Sequence, residues 1–98
     1  MNNNLDCHFT QTGEGPGVFL IHGIGAAEDA WRFIVPKLTK YFTVITYDLR
    51  GHGISPVTNN NFTLNDLIDD LEKIREKTKI EKAHFIGHSL GGMIAPAY

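Results

Sequence analysis

Apolar residues recur along this chain in two periods. Residues 18–21 (Val-Phe-Leu-Ile) form a continuous apolar run after the turn cluster Gly13-Glu14-Gly15-Pro16-Gly17, which predicts a strand buried on both faces. Trp31, Ile34, Val35 and Leu38 follow at helical spacing. Pro36 lacks an N–H, so that helix should be short, kinked, or begun just before it. Residues 43–47 are rich in β-branched and aromatic side chains and predict a second strand. Leu64, Leu67, Ile68, Leu71 and Ile74 make one helical stripe, with Glu72, Lys73, Glu76 and Lys77 off it and facing water. Thr63 and Asp66 have the spacing of a capping box at the start of this helix. Residues 83–86 predict a third buried strand, and a further helix begins at Leu90, where Pro96 should introduce a kink. Residues 7–12 are a candidate short strand. Alternation of this kind predicts an α/β fold, a mostly parallel sheet flanked by helices. Its chemistry is expected beyond the carboxyl ends of the strands.

Composition narrows the picture only a little. A chain of 98 residues holds one domain at most. A formal charge of -2 argues against nucleic acid or an anionic membrane surface as partner. Cys7 is the single cysteine, so no internal disulfide can form. The first residues carry neither a basic segment nor an apolar one, so no signal peptide is expected and a cytoplasmic location fits. No apolar run has the length of a membrane span. No His, Cys and Asp cluster has metal-ligand spacing, so no metal site is expected.

Three strand ends carry candidate chemistry. Gly87-His88-Ser89-Leu90-Gly91 matches G-x-S-x-G between a predicted strand and a predicted helix, the context in which that motif presents a serine nucleophile. The chain must reverse within a few residues there, and side chains at 87 or 91 would crowd the turn. The reward is a hydroxyl above the sheet at a helix N-terminus, where N–H groups and a partial positive charge favour an oxyanion. The plainer reading of Ser89 is an N-cap on an ordinary helix. His22-Gly23-Ile24-Gly25 follows the first buried strand, where a glycine-bearing loop lets backbone N–H groups approach a reacting atom; the plainer reading is a βα turn with a packed histidine. Asp48-Leu49-Arg50-Gly51-His52-Gly53 follows the second strand. Its Asp, Arg and His are better read as structural, with Asp48 capping or pairing with Arg50.

These segments together resemble the α/β-hydrolase superfamily, in its serine-nucleophile branch. The resemblance rests on Phe19-Leu20-Ile21-His22-Gly23, on Tyr47-Asp48-Leu49-Arg50-Gly51-His52-Gly53 and on Gly87-His88-Ser89-Leu90-Gly91-Gly92, and it covers essentially the whole chain. It implies that Ser89 is the nucleophile. It also implies that the backbone N–H groups of Ile24 and Leu90 form the oxyanion hole, with Gly87, His88, Gly91, His22 and Gly23 as elbow and loop support. The strand at Val18 should lie between those at Thr43 and Ala83, and His88 should point away from the serine into the protein. The remaining aromatic residues should be core or pocket wall.

In this family the triad acid and histidine follow the serine in chain order. Residues 90–98 contain no Asp, Glu or His. The chain is therefore expected to be the N-terminal part of a single α/β-hydrolase domain, lacking the cap and the rest of the triad and by itself close to inactive. The resemblance implies that the complete protein is an esterase- or lipase-like hydrolase acting on a small-molecule acyl substrate, by acyl transfer that needs no metal or organic cofactor. A serine at the elbow argues against haloalkane dehalogenases and epoxide hydrolases, which use Asp there, and against dienelactone hydrolases, which use Cys. The alternative is a non-catalytic, ligand-binding or receptor-like member of the same fold.

Overall fold

A computed structural model describes residues 7–23, 28–50, 63–80, 82–88 and 90–97, with the backbone alone for residues 28, 29, 90 and 97. Strand β1 (Phe9–Gly13) and strand β2 (Gly17–Ile21) are followed by a 3-10 turn (Glu28–Trp31), helix α1 (Val35–Leu38) and strand β3 (Thr43–Tyr47). Helix α2 (Leu64–Thr78), strand β4 (Ala83–Gly87) and helix α3 (Leu90–Ala97) complete the order. The sheet runs β1-β3-β2-β4. Strands β2, β3 and β4 are parallel, and β1 joins β3 antiparallel. The strand at Val18 thus lies between the other two parallel strands.

Central position explains the apolar run of β2. All five of its residues are buried, and alternate ones face opposite layers. Phe19 and Ile21 pack with Ile45, Tyr47, Leu67, Leu71, Ile74 and Ile94, under α2 and α3. Val18 and Leu20 pack with Val44 on the other face, against Trp31, Val35 and Leu38. A two-sided core of this kind stabilises by about 1.5–3 kcal/mol for each large apolar side chain fully buried. Phe19 also stacks on Phe85 of β4, with ring centroids 5.1 Å apart.

The helices follow local chemistry. Pro36 stands in the first turn of α1, where its missing N–H costs nothing, and the helix is only one turn long. At α2 the Thr63 hydroxyl accepts the Asp66 N–H at 3.2 Å and the Asp66 carboxylate accepts the Thr63 N–H at 2.8 Å, a complete capping box. Pro96 is the seventh of the eight residues of α3, so the hydrogen bond that it forfeits falls in the last turn and the helix continues to Ala97. Among the described residues no helix is long and apolar enough to cross a membrane.

Three expectations need correction. Strand β4 is not buried. Among the described residues it pairs with β2 alone, and its residues alternate between half-buried and exposed, with Ile86 45% exposed. Not every aromatic residue is core: Phe33 and Tyr41 are 75% and 71% exposed, since both stand in connections that no described element covers. The stripe of α2 is also shifted. Leu67, Leu71 and Ile74 are buried as expected, but Leu64 is exposed at the first turn and Asp70 is buried in its stead.

Candidate active site

The three parallel strands end level. Ile21, the last residue of β2, pairs with Tyr47, the last of β3, and with Gly87, the last of β4. The chain therefore leaves the sheet at His22, Asp48 and His88 along one edge, the carboxyl edge at which open α/β sheets carry their sites. Ser89, Ile24, and Gly51, His52 and Gly53 lie outside the described residues.

At the β4–α3 turn the geometry is set by two glycines. A Cβ on Gly87 would fall onto the carbonyl oxygen of Gly91 and within 2.6 Å of the Gly92 nitrogen. A Cβ on Gly91 would fall onto the carbonyl oxygen of Ile21 and within 2.9 Å of that of His22. Strand, turn and helix thus touch through backbone alone, closer than any side chain permits. The His88 N–H donates to the Ile21 carbonyl at 3.1 Å, and the Gly91 N–H donates to the His88 carbonyl at 3.0 Å, which closes the turn. Leu90 is the first residue of α3. Its N–H belongs to the set that a helix leaves without an intrahelical partner.

His88 departs from expectation. It is exposed rather than turned into the protein. It follows the last residue of β4, which among the described residues pairs with β2 alone.

His22 is 1% exposed and tied at both ring nitrogens. Its Nε2 accepts the backbone N–H of Leu49 at 3.0 Å, which requires that nitrogen to be unprotonated. The ring proton then sits on Nδ1 and is donated to the carbonyl of Gly23 at 2.7 Å. One neutral imidazole so joins the loop after β2 to the loop after β3. The end of β2 is a hub, because Ile21 and His22 also meet the elbow through their carbonyl groups.

In the β3 loop Asp48 is 3% exposed and its N–H donates to the His8 carbonyl at 2.9 Å. Arg50 forms a fork with Asp70 of α2, with Nε and Nη2 donating at 2.7 and 2.8 Å. That hydrogen bonding, opposed by partial burial, holds the guanidinium above its ordinary pKa. Asp70, with a side chain 2% exposed, is a partner the sequence reading does not name. A signal for it exists: position 70 is three residues after Leu67 and four before Ile74, so it falls on the buried side of α2, and a carboxylate there needs a cation.

Comparisons with known proteins agree with this geometry. Residues 16–98 match the model of the alpha/beta hydrolase fold family. The 3-oxoadipate enol-lactonase 1 of Acinetobacter baylyi is 40% identical over 80 residues, covering 82% of this chain and 30% of that protein. The magnesium-chelatase 30 kDa subunit of Rhodobacter capsulatus is 40% identical over 87 residues, covering 88% of this chain and 31% of that protein. The crystal structure of the enol-lactonase from Burkholderia xenovorans superposes with a TM-score of 0.90 at 32% identity, covering 94% of this chain and 37% of that one. The chain spans under a third of the length of both curated relatives. With the family model matched over residues 16–98, the chain belongs to the α/β-hydrolase fold family.

Proposed function

We propose that the complete protein is a serine hydrolase that cleaves a small ester or lactone by two-step acyl transfer through Ser89. The observation that carries this reading is the contact of Gly87 with Gly91: the β4–α3 turn is too tight for any side chain at either position. A turn this tight serves little purpose at a plain helix start but is what an exposed nucleophile between strand and helix demands. The Ser89 hydroxyl attacks the carbonyl carbon, and the N–H groups of Ile24 and Leu90 hold the oxyanion. A histidine takes the serine proton and returns it to the leaving alcohol, and water then releases the acid and restores the serine. We place that histidine and its acid partner after residue 98 in the complete protein, following the chain order of the fold. The substrate class follows from the enol-lactonase names of two relatives.

The test uses the full-length protein. A fluorophosphonate probe should modify Ser89, and turnover of p-nitrophenyl acetate or a simple lactone should fall by about four orders of magnitude in Ser89→Ala. Turnover that survives Ser89→Ala would sink the assignment. A second reading, a ligand-binding member without turnover, is favoured by the relative named as a magnesium-chelatase subunit rather than a hydrolase. Ligand binding by a folded protein that neither turns over esters nor takes the probe would support it.

A further inference from the structure

We propose that the outer face of the segment between β2 and β3, built from Phe33, Ile34 and Tyr41 with Arg32, Lys37 and Lys40, docks the protein on an anionic lipid surface. The inner face of this segment is already used. Trp31, Val35, Leu38 and Phe42 recur at spacings of three and four and pack on Val18, Leu20 and Val44 of the sheet. Turn and helix bonds run along the backbone from the Trp31 carbonyl to the Phe42 N–H. Phe33, Lys37 and Tyr41 stand at every fourth position between the packed residues, the spacing of one helical face. Phe33 and Tyr41 are 75% and 71% exposed, and Ile34 is 44% exposed. Arg32, Lys37 and Lys40 are exposed beside them, and the Arg32 guanidinium lies over the Phe33 ring at 4.6 Å. The formal charge of -2 belongs to the chain as a whole: residues 30–47 hold these three cations and neither Asp nor Glu. Glu14 lies between two glycines that rest on the backbone of residues 39–42, and one carboxylate against three cations leaves the face positive. Apolar side chains that project this far, with cations between them, suit the headgroup region of an anionic membrane. The rings and the isoleucine enter the acyl boundary while the cations stay at the phosphates. A protein partner would have to hold apolar pockets and carboxylates in matching places, whereas a bilayer offers both without registration.

Sedimentation of the full-length protein with vesicles of phosphatidylcholine, alone or mixed with phosphatidylglycerol, decides it. The protein should bind the mixed vesicles, bind phosphatidylcholine alone far more weakly, and come off as salt is raised. Lys37→Gln with Lys40→Gln should weaken binding to the mixed vesicles about 10- to 30-fold. Phe33→Ser with Tyr41→Ser should weaken it about 10-fold or more. These four side chains are exposed, so both double variants should melt near wild type. Absence of binding to the mixed vesicles, or unchanged binding in either double variant, overturns the proposal. Protection of Tyr41 from nitration and of Lys37 from acetylation in the vesicle-free protein overturns it as well, because a further part of the chain or a second copy then covers this face.

Discussion

The backbone of Gly87, the last residue of β4, rests on the carbonyl of Gly91, the second residue of α3, with no space for a Cβ between them. Gly92, the next residue along, is different: a Cβ there would meet the Gly87 carbonyl oxygen at 3.6 Å, an ordinary contact. The pair makes an internal control. Gly87→Ala or Gly91→Ala should destabilise the full-length protein by about 3 kcal/mol or more, since backbone rather than a flexible side chain must move. Gly92→Ala should be neutral or stabilise by up to about 1 kcal/mol, the helix-interior penalty of glycine. Denaturant unfolding of the three variants measures this, and equal losses at 87 and 92 would refute the crowding argument.

The Arg50–Asp70 fork ties the β3 loop to α2 across twenty residues of chain. Its carboxylate side chain is 2% exposed and its guanidinium 17%, so the cost of breaking it is mainly that of a stranded buried carboxylate. Arg50→Ala should cost about 3 kcal/mol. Arg50→Lys should recover less than half of that, because a point charge cannot make both bonds of the fork. The double replacement Arg50→Met with Asp70→Leu should recover most of the loss. Chemical denaturation of the set, read as a cycle, checks the ordering.

The parts of this fold that read directly from sequence are those where periodicity and burial coincide. The run Val18, Phe19, Leu20, Ile21 is legible as a central strand because both neighbours cover it. The stripe Leu67, Leu71, Ile74 and the Thr63–Asp66 cap are legible because they are local. Residues 83–86 also read as a buried strand, but among the described residues β4 pairs with β2 alone and alternates in exposure, and a sequence pattern does not say how many neighbours a strand has. Phe33 and Tyr41 are exposed for a different reason: both stand in connections, and aromatic character does not say what covers a connection. At the site, the glycine spacing of the elbow is legible because crowding in a tight turn is a local property. The two tethers of His22 are only half so: the bond to Gly23 joins neighbours, whereas Leu49 is 27 residues away and comes near only through the pairing of β2 with β3.

Tyr47 is fully buried, and among the described residues its hydroxyl has no hydrogen-bond partner. Burial, with smaller contributions from Cys7 and Asp70, pushes its phenol well above the ordinary value of 10.0. The folded state therefore favours the neutral phenol. That contribution to stability is complete below about pH 10 and is lost progressively as pH rises further. Tyr47→Phe removes an unsatisfied polar atom without opening a large cavity, so it should be neutral or stabilising by about 1 kcal/mol at pH 7. Thermal melts from pH 8 to pH 11 should show a shallower alkaline decline in the variant. A loss of more than about 2 kcal/mol at neutral pH would mean that the hydroxyl has a partner.

Asp66 gives the opposite sign of pH dependence. The Thr63 N–H that its carboxylate accepts is the largest cause of a pKa held below the ordinary 3.8, with the Arg50 charge a lesser one. The folded state thus prefers the ionised carboxylate. The benefit is present above about pH 4 and disappears as pH falls through the lowered folded value. Asp66 is at the surface, so the effect should be modest and weakened by salt. Thr63→Ala, which removes the other half of the box, should cost about 1 kcal/mol at pH 7. In Asp66→Asn the acid limb of stability between pH 5 and pH 2 should flatten relative to wild type, because the proton-linked part of the cap is gone. Unfolding midpoints across that range decide it: parallel curves for wild type and variant would show that the carboxylate of Asp66 contributes nothing to the cap.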